Sequence, residues 1–291
     1  ETNGIIELQG TLSANPFTNN GSLRIPRNKT FTIDANGSIN GLSGNILNSG
    51  ILNVNGALNS NATLTNEEDG TVNLGSNGTL PNNFTNNGTL VITAGTTKTI
   101  SNLRGSGIIR NQGNLTISGN ATVVNNKATN NSNVTLTITG GTVNTSGTVT
   151  NITVTQGILN ILANKELTAD TITANNRMVI FGTVTATNKI DASAQFHIEQ
   201  GGKVYGTVNI LNNAVTSIEG IIGDASHSNS VLNISSGQTV EASNGANIWN
   251  VTGNGQLALR QGNPVVHVRG EFNGTIQNYN GIVNLYENAR V

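Results

Sequence analysis

The hydrophobic residues of this 291-residue chain fall in short alternating runs, not in helical stripes. Gly88-Thr89-Leu90-Val91-Ile92 shows the form, with apolar side chains at its third and fifth positions. The form returns as Gly113-Asn114-Leu115-Thr116-Ile117, Val134-Thr135-Leu136-Thr137-Ile138, Gly157-Ile158-Leu159-Asn160-Ile161 and Gly182-Thr183-Val184-Thr185-Ala186. Then come Gly206-Thr207-Val208-Asn209-Ile210, Ser230-Val231-Leu232-Asn233-Ile234, Gly255-Gln256-Leu257-Ala258-Leu259 and Gly281-Ile282-Val283-Asn284-Leu285. Successive copies start at steps of 25, 21, 23, 25, 24, 24, 25 and 26 along the chain. Upstream, Gly50-Ile51-Leu52-Asn53-Val54 and Gly70-Thr71-Val72-Asn73-Leu74 join at steps of 20 and 18.

Side chains of a strand alternate between its faces, so each copy reads as a strand with its third and fifth residues inward. Leu90, Leu115, Leu136, Leu159, Val184, Val208, Leu232, Leu257 and Val283 are then expected in one inward column. Ile92, Ile117, Ile138, Ile161, Ala186, Ile210, Ile234, Leu259 and Leu285 are expected in a second, with the middle residue of each copy facing solvent. Further β-rich runs at 149–154 and 167–172 lie between Asn-Gly, Ser-Gly and Asn-Asn pairs that favour turns.

A unit this short cannot bury its own apolar face, but stacked on copies of itself it can. The predicted fold is all-β, a right-handed parallel β-helix (β-solenoid) of about twelve to fifteen coils of 18–26 residues, with coils about 4.8 Å apart. The expected organisation is a single β-helix over 1–291, less regular over 1–49 and regular over 50–291. Gly21-Ser22-Leu23-Arg24-Ile25 is the clearest early copy. No helix is proposed; ILANKELTA at 161–169 comes nearest. Asn suits the turns because it tolerates left-handed backbone, and stacked Asn side chains can bond between coils.

Composition sharpens this picture. The chain holds 51 Asn, 38 Thr and 35 Gly, whereas only 10% of residues are charged and 3% aromatic. Few globular enzymes have this make-up, yet 35% apolar residues suffice for a thin core of Ile, Leu and Val. A net charge of −1 gives no electrostatic footprint for nucleic acid. No run of 18 apolar residues is present, so no spanning helix is expected. ETNGIIELQG does not read as a signal peptide, and a chain opening on Glu1 and stopping at Val291 is expected to be a segment of something longer. Cysteine is absent, which suits a bacterial surface protein that crosses membranes unfolded.

Candidate chemistry is sparse. β-Helical polysaccharide lyases and galacturonases need clustered carboxylates, whereas the fifteen acids here are scattered. Glu67-Glu68-Asp69 is the one acidic run and reads as a solvated turn before a calcium site; Glu199, Glu219 and Glu241 are spaced for a ladder that like charges disfavour. His197, His227 and His267 lack partners at metal-ligand spacing. No GxSxG motif occurs, GNGQL at 253–257 precedes no helix, and Arg269-Gly270-Glu271 is one tripeptide in a Gly-rich chain. No catalytic, cofactor or metal residues are therefore assigned. Asn83-Phe84-Thr85 and Asn87-Gly88-Thr89 fit the N-glycosylation pattern, but such triplets are background in a chain this rich in Asn and Thr. An ice- or polysaccharide-binding lattice would need uniform outward Thr, whereas the middle positions alternate among Val91, Thr116, Asn160, Ala258 and others.

Binding is the stronger reading. Of the ten aromatics, Phe196, Tyr205, Trp249, Phe272, Tyr279 and Tyr286 lie in the last third, together with all three His. Exposed aromatics anchor interfaces, so Trp249, Tyr279, Tyr286 and Tyr205 are the candidate partner-binding residues, with Phe196 and Phe272 expected to fill a wider core.

Cys-free, Asn/Thr/Gly-rich coils of the forms GTVNI, GILNI and NNGTL run over nearly the whole chain, which thereby resembles the passenger domains of bacterial type V autotransporters. TITANNRMVIFGTVTATN and GGTVNTSGTVTNITVTQGILNI are similar to rickettsial surface cell antigens of the outer-membrane-protein A and B group. The resemblance implies a surface-displayed adhesin or S-layer-like virulence protein that engages a host cell-surface protein during attachment. It also implies export through an outer-membrane translocator barrel that this sequence lacks, and no active-site residues. The alternative is a carbohydrate-binding or polysaccharide-degrading β-helix protein.

Overall fold

The alternation becomes strand geometry: in Thr71–Leu74, Thr89–Ile92 and Val231–Ile234 the second and fourth side chains are buried and the others half-buried. The computed structural model describes residues 5–7, 12–14, 17–18, 20–40, 45–58, 61–101, 103–127, 135–211, 214–287 and 289–291. Among the described residues each part of the chain is built as a parallel β-solenoid, about 13 turns in all, with a 3₁₀ turn at Ala225–His227 as the one helical element. ILANKELTA is strand, turn and strand, reversed at Asn164. The chain divides into two compact units, 1–135 and 136–291.

In the first unit, Ser22–Ile25, Asn45–Asn48, Thr63–Asn66 and Asn83–Asn86 stack in register as one face. A second face stacks Thr30–Ile33, Ile51–Val54, Thr71–Leu74, Thr89–Ile92 and Ile108–Asn111. A third, of shorter strands, stacks Phe17–Thr18, Ser38–Asn40 and Ala57–Leu58. Leu23, Ile46, Leu64 and Phe84 form one buried column and Phe31, Leu52, Val72, Leu90 and Ile109 another. Each such side chain contributes roughly 1.5–3 kcal/mol by leaving water.

The corner between the first two faces is polar and closed. Asn48, Asn66 and Asn86 are buried there in register. Asn48 Nδ2 donates to Asn66 Oδ1, and Asn66 Nδ2 to Asn86 Oδ1, both at 2.7 Å. The same amides reach backbone carbonyls of the next face: Asn48 to Thr71 O, Asn66 to Gly70 O and Thr89 O, and Asn86 to Ile108 O, at 3.0–3.1 Å. This is the expected Asn stacking, placed inside the coil. Asn48 Oδ1 has no hydrogen-bond partner among the described residues, because its register neighbour on the preceding strand is Ile25.

In the second unit three columns can be followed. Leu159, Met178, Phe196, Thr216, Val240, Leu257 and Ile276 stack on one face. Leu167, Val184, Val204, Ile222, Ile248, Val266 and Val283 stack on the next. Ile152, Ile172, Ile190, Val208, Leu232 and Val251 stack on the third.

These columns correct the single inward column expected from the repeat. Leu159, Val184, Val208, Leu232, Leu257 and Val283 all belong to inward columns, but they are shared among the three faces. The coil is shorter than the repeat: Leu159 stacks on Met178 and Val184 on Val204, each reached before the next copy of the repeat at Val184 or Val208. A repeat step is therefore one coil plus one strand, so the next copy lands on the next face. The same slip occurs in the first unit, where Leu90 stacks on Ile109, not Leu115. Val208 and Leu232 do stack directly, because the extra residues around Ala225–His227 lengthen that coil to a full repeat step. Ala258, expected to face solvent, is fully buried, and Leu285, expected to close the second inward column, is 63% exposed. Val134, of the 134–138 copy, lies outside the described residues.

The turns follow their chemistry. The non-glycine residues with positive φ among those described are Asn28, Asn164, Asn244 and Asn263, at φ 51–61°. Gly223, at φ 71°, is where the Ala225–His227 excursion leaves the coil; a Cβ there would meet Trp249 Cβ at 2.9 Å.

Candidate functional site

Coil length decides which surface residues meet. Trp249, Arg269 and Tyr286 follow one another at about one coil per step and share one outer surface. The Arg269 guanidinium lies between the rings, 3.9 Å from the centre of Trp249 and 3.7 Å from that of Tyr286. It is fixed from behind, since Nε donates to Trp249 O at 3.1 Å and the Arg269 backbone N–H to Asn250 Oδ1 at 3.2 Å. A cation over the faces of two aromatic rings is held by their quadrupoles, and the planar fork stays extended.

His267 completes the cluster. Its ring is 5.5 Å from Trp249 and 5.7 Å from Tyr286, and Nδ1 lies 3.1 Å from the Tyr286 hydroxyl and 3.4 Å from Asn284 Nδ2. Burial, then the positive charge of Arg269, lowers its pKa from the ordinary 6.5 and favours the neutral imidazole. Tyr286 is 42% exposed and Trp249 half-buried, with its indole N–H enclosed and without an acceptor among the described residues.

The other two candidates stand apart. Tyr279, 64% exposed, is crossed by Arg260 at 4.7 Å, and Arg260 pairs with Glu241 at 2.7 Å. Tyr205 stacks on His227 with ring centres 3.6 Å apart, beside a groove of about 350 Å3 lined by Thr185, Asn188, Thr207 and Ser226 among others. Asp224 organises that loop, accepting from the Ser226 and His227 backbones and from His227 Nδ1 at 2.8–3.0 Å. Hydrogen bonds from Ser226 and His227 hold its carboxyl well below the usual range. Burial, then Asp224, raises the Tyr205 hydroxyl.

Phe196 and Phe272 are fully buried, as expected for core residues. Asp69 pairs with Arg27, and Glu67 accepts from Ser49 across the coil. His197 contacts Ser217 at 2.7 Å, and Ser217 in turn sits in register with Glu241, so Glu241 is offset from Glu219. Sequence reasoning missed Arg269 as the centre of the surface; the recurrence of Trp, Arg and Tyr at steps of 20 and 17, close to the coil lengths of 18 and 17 there, is the signal that marks it. Compared with known proteins, the chain matches no family model, no curated protein and no solved structure.

Proposed function

We propose that this chain is a surface-displayed bacterial adhesin of the autotransporter-passenger kind, which attaches to a host cell-surface protein through the outer face around Arg269 and has no catalytic role. The observation that carries the reading is the Trp249–Arg269–Tyr286 sandwich. Trp, Tyr and Arg are the residue types that dominate interface hot spots; the two aromatics present large area at low entropic cost, and here their rings hold the Arg269 side chain in place. Nε of Arg269 is used internally, which directs the rest of the fork to a partner carboxylate. A partner with an acidic residue flanked by apolar surface fits this face. In this reading a translocator barrel elsewhere in the full-length protein anchors the chain at the bacterial surface.

Beads coated with the protein are expected to attach to host cells, and beads coated with a Trp249→Ala/Arg269→Ala/Tyr286→Ala variant to attach at least tenfold less. Equal attachment by a folded variant would remove this face from the proposal. The Tyr205–His227 stack beside its hydroxyl- and amide-lined groove favours a second reading, carbohydrate binding. Retention of neutral oligosaccharides on a glycan array, lost in Tyr205→Ala, is the result that would favour it.

A further inference from the structure

The third face of the first unit is interrupted after Thr79. Thr79 bridges Ala57, residues 80–82 carry no strand, and Thr97–Ile100 pairs in register with Asn114–Ile117. A cavity of about 520 Å3 opens at this break. Leu74, Phe84 and Ile100 are buried in its wall, while Thr79, Asn82 and Ser101 are exposed at its rim.

Lys98 reaches into this cavity from an inward position of its strand. The burial pattern of Thr97–Ile100 alternates exposed and buried, and Lys98 occupies a buried place, in register with Leu115. Only 9% of its surface is accessible. Nζ donates to Gly78 O at 2.6 Å and Ser76 O at 2.8 Å. An ammonium carries three protons, so these carbonyls leave one for another acceptor. No carboxylate pairs with Lys98 among the described residues, and Lys98 is the only charged side chain among the described residues lining the cavity. Burial lowers its pKa, as expected for a cation withdrawn from water without a counter-charge.

A position that served packing alone would hold Leu or Ile, as Leu90 and Leu115 do. Lysine here costs desolvation that two neutral carbonyls only partly offset, and a monoanion beside Nζ would complete the balance. We propose that the cavity binds a small organic monocarboxylate, its carboxylate accepting the third proton of Lys98 and its apolar body lying against Leu74, Phe84 and Ile100. One ammonium matches one negative charge; a dianion would bring a second charge with no counter-charge among the described lining residues. This site is independent of the Arg269 face and does not rest on the adhesive reading.

Calorimetric titration with benzoate, using benzyl alcohol as the neutral counterpart of similar shape, tests the site. Benzoate is expected to bind at least tenfold more tightly, and Lys98→Met to abolish that preference. Because Lys98→Met can perturb the fold, acetylation of the wild-type protein by sulfosuccinimidyl acetate, whose leaving group in lysine acylation is not a carboxylate, is the deciding measurement, read residue by residue by mass spectrometry. Saturating benzoate is expected to slow acetylation of Lys98 severalfold and leave the exposed Lys165 and Lys203 unchanged. Binding no tighter than that of benzyl alcohol, or Lys98 acetylation that benzoate leaves unaltered, would overturn the proposal.

Discussion

Asn66 and Arg269 both bridge successive coils, one from inside the first unit and the other from outside the second. Asn66 is fully buried, and its amide is spent on Asn86, Gly70 and Thr89 while its oxygen receives Asn48. Arg269 is half-buried and commits Nε to Trp249 O, with its charged plane between two rings. The difference is one of satisfaction. A buried amide must find partners within the coil stack, so it specifies register; a cation at the surface retains donors for something else.

The largest test of this contrast is Asn66→Leu. It removes one of the two acceptors of Asn48 Nδ2 and the donor to Asn86 Oδ1, and takes a side-chain donor from Gly70 O and Thr89 O, while Asn48 Nδ2 keeps Thr71 O and Gly70 O keeps the Thr89 backbone N–H. Since an orphaned buried group such as Asn86 Oδ1 costs about 1–3 kcal/mol, a loss of about 2 kcal/mol is expected in urea denaturation, with amide exchange accelerating over 45–111. A loss below about 1 kcal/mol would mean that the ladder does not hold the corner.

Register in the second unit can be tested separately with double-mutant cycles. Leu232 and Val251 stack, whereas Leu232 and Leu257, successive copies of the repeat, lie on different faces. Replacing both members by Ala is expected to give a coupling of about 1 kcal/mol for the first pair and near zero for the second. The reverse order would restore the single-column arrangement that the repeat alone suggests.

On the outer side, Arg269→Met is expected to cost only about 1 kcal/mol of stability, since cation–π contacts at accessible sites are modest. Trp249 emission should shift to the red as one face of the indole becomes accessible. An unchanged spectrum would argue that the ring is held without the guanidinium.

The smallest effect is the pH dependence of the same cluster. The folded-state pKa of His267 is depressed, so as pH falls through about 6.5 the unfolded chain takes up its proton first. Stability is therefore expected to fall from pH 7 towards the folded pKa, with no contribution from His267 at higher pH. His197, depressed by burial and Arg177, acts in the same direction. An imidazole titration by NMR should place His267 below the ordinary value in the wild type and closer to it in Arg269→Met; no movement would exclude Arg269 as a cause.

Much of the architecture was legible before the structure because it is local. Whether Leu90, Leu159 or Leu232 points inward depends on its neighbours in the same strand, and all three are buried. Asn at left-handed turn positions is likewise a property of a single residue. The aromatic enrichment after residue 196 could be read, and so could the choice of Phe196 and Phe272 as core. Lys98 could have been flagged by its place in Thr97–Lys98–Thr99–Ile100, where the alternation asks for an apolar side chain.

What no single stretch contains is the length of each coil, which sums turns whose sizes differ. An excursion such as Ala225–His227 lengthens its own coil, while the coils that carry Trp249, Arg269 and Tyr286 are shorter. Parallel stacked strands, the inward and outward faces of most of them and the chemistry of their turns were thus set by the order of residues alone, with Ala258 and Leu285 as exceptions. Folding in three dimensions settled which residues stack, that Arg269 lies between two rings and that Lys98 opens onto a cavity. Side-chain direction follows from backbone alternation within a few residues, whereas contact across coils depends on the accumulated length of everything between.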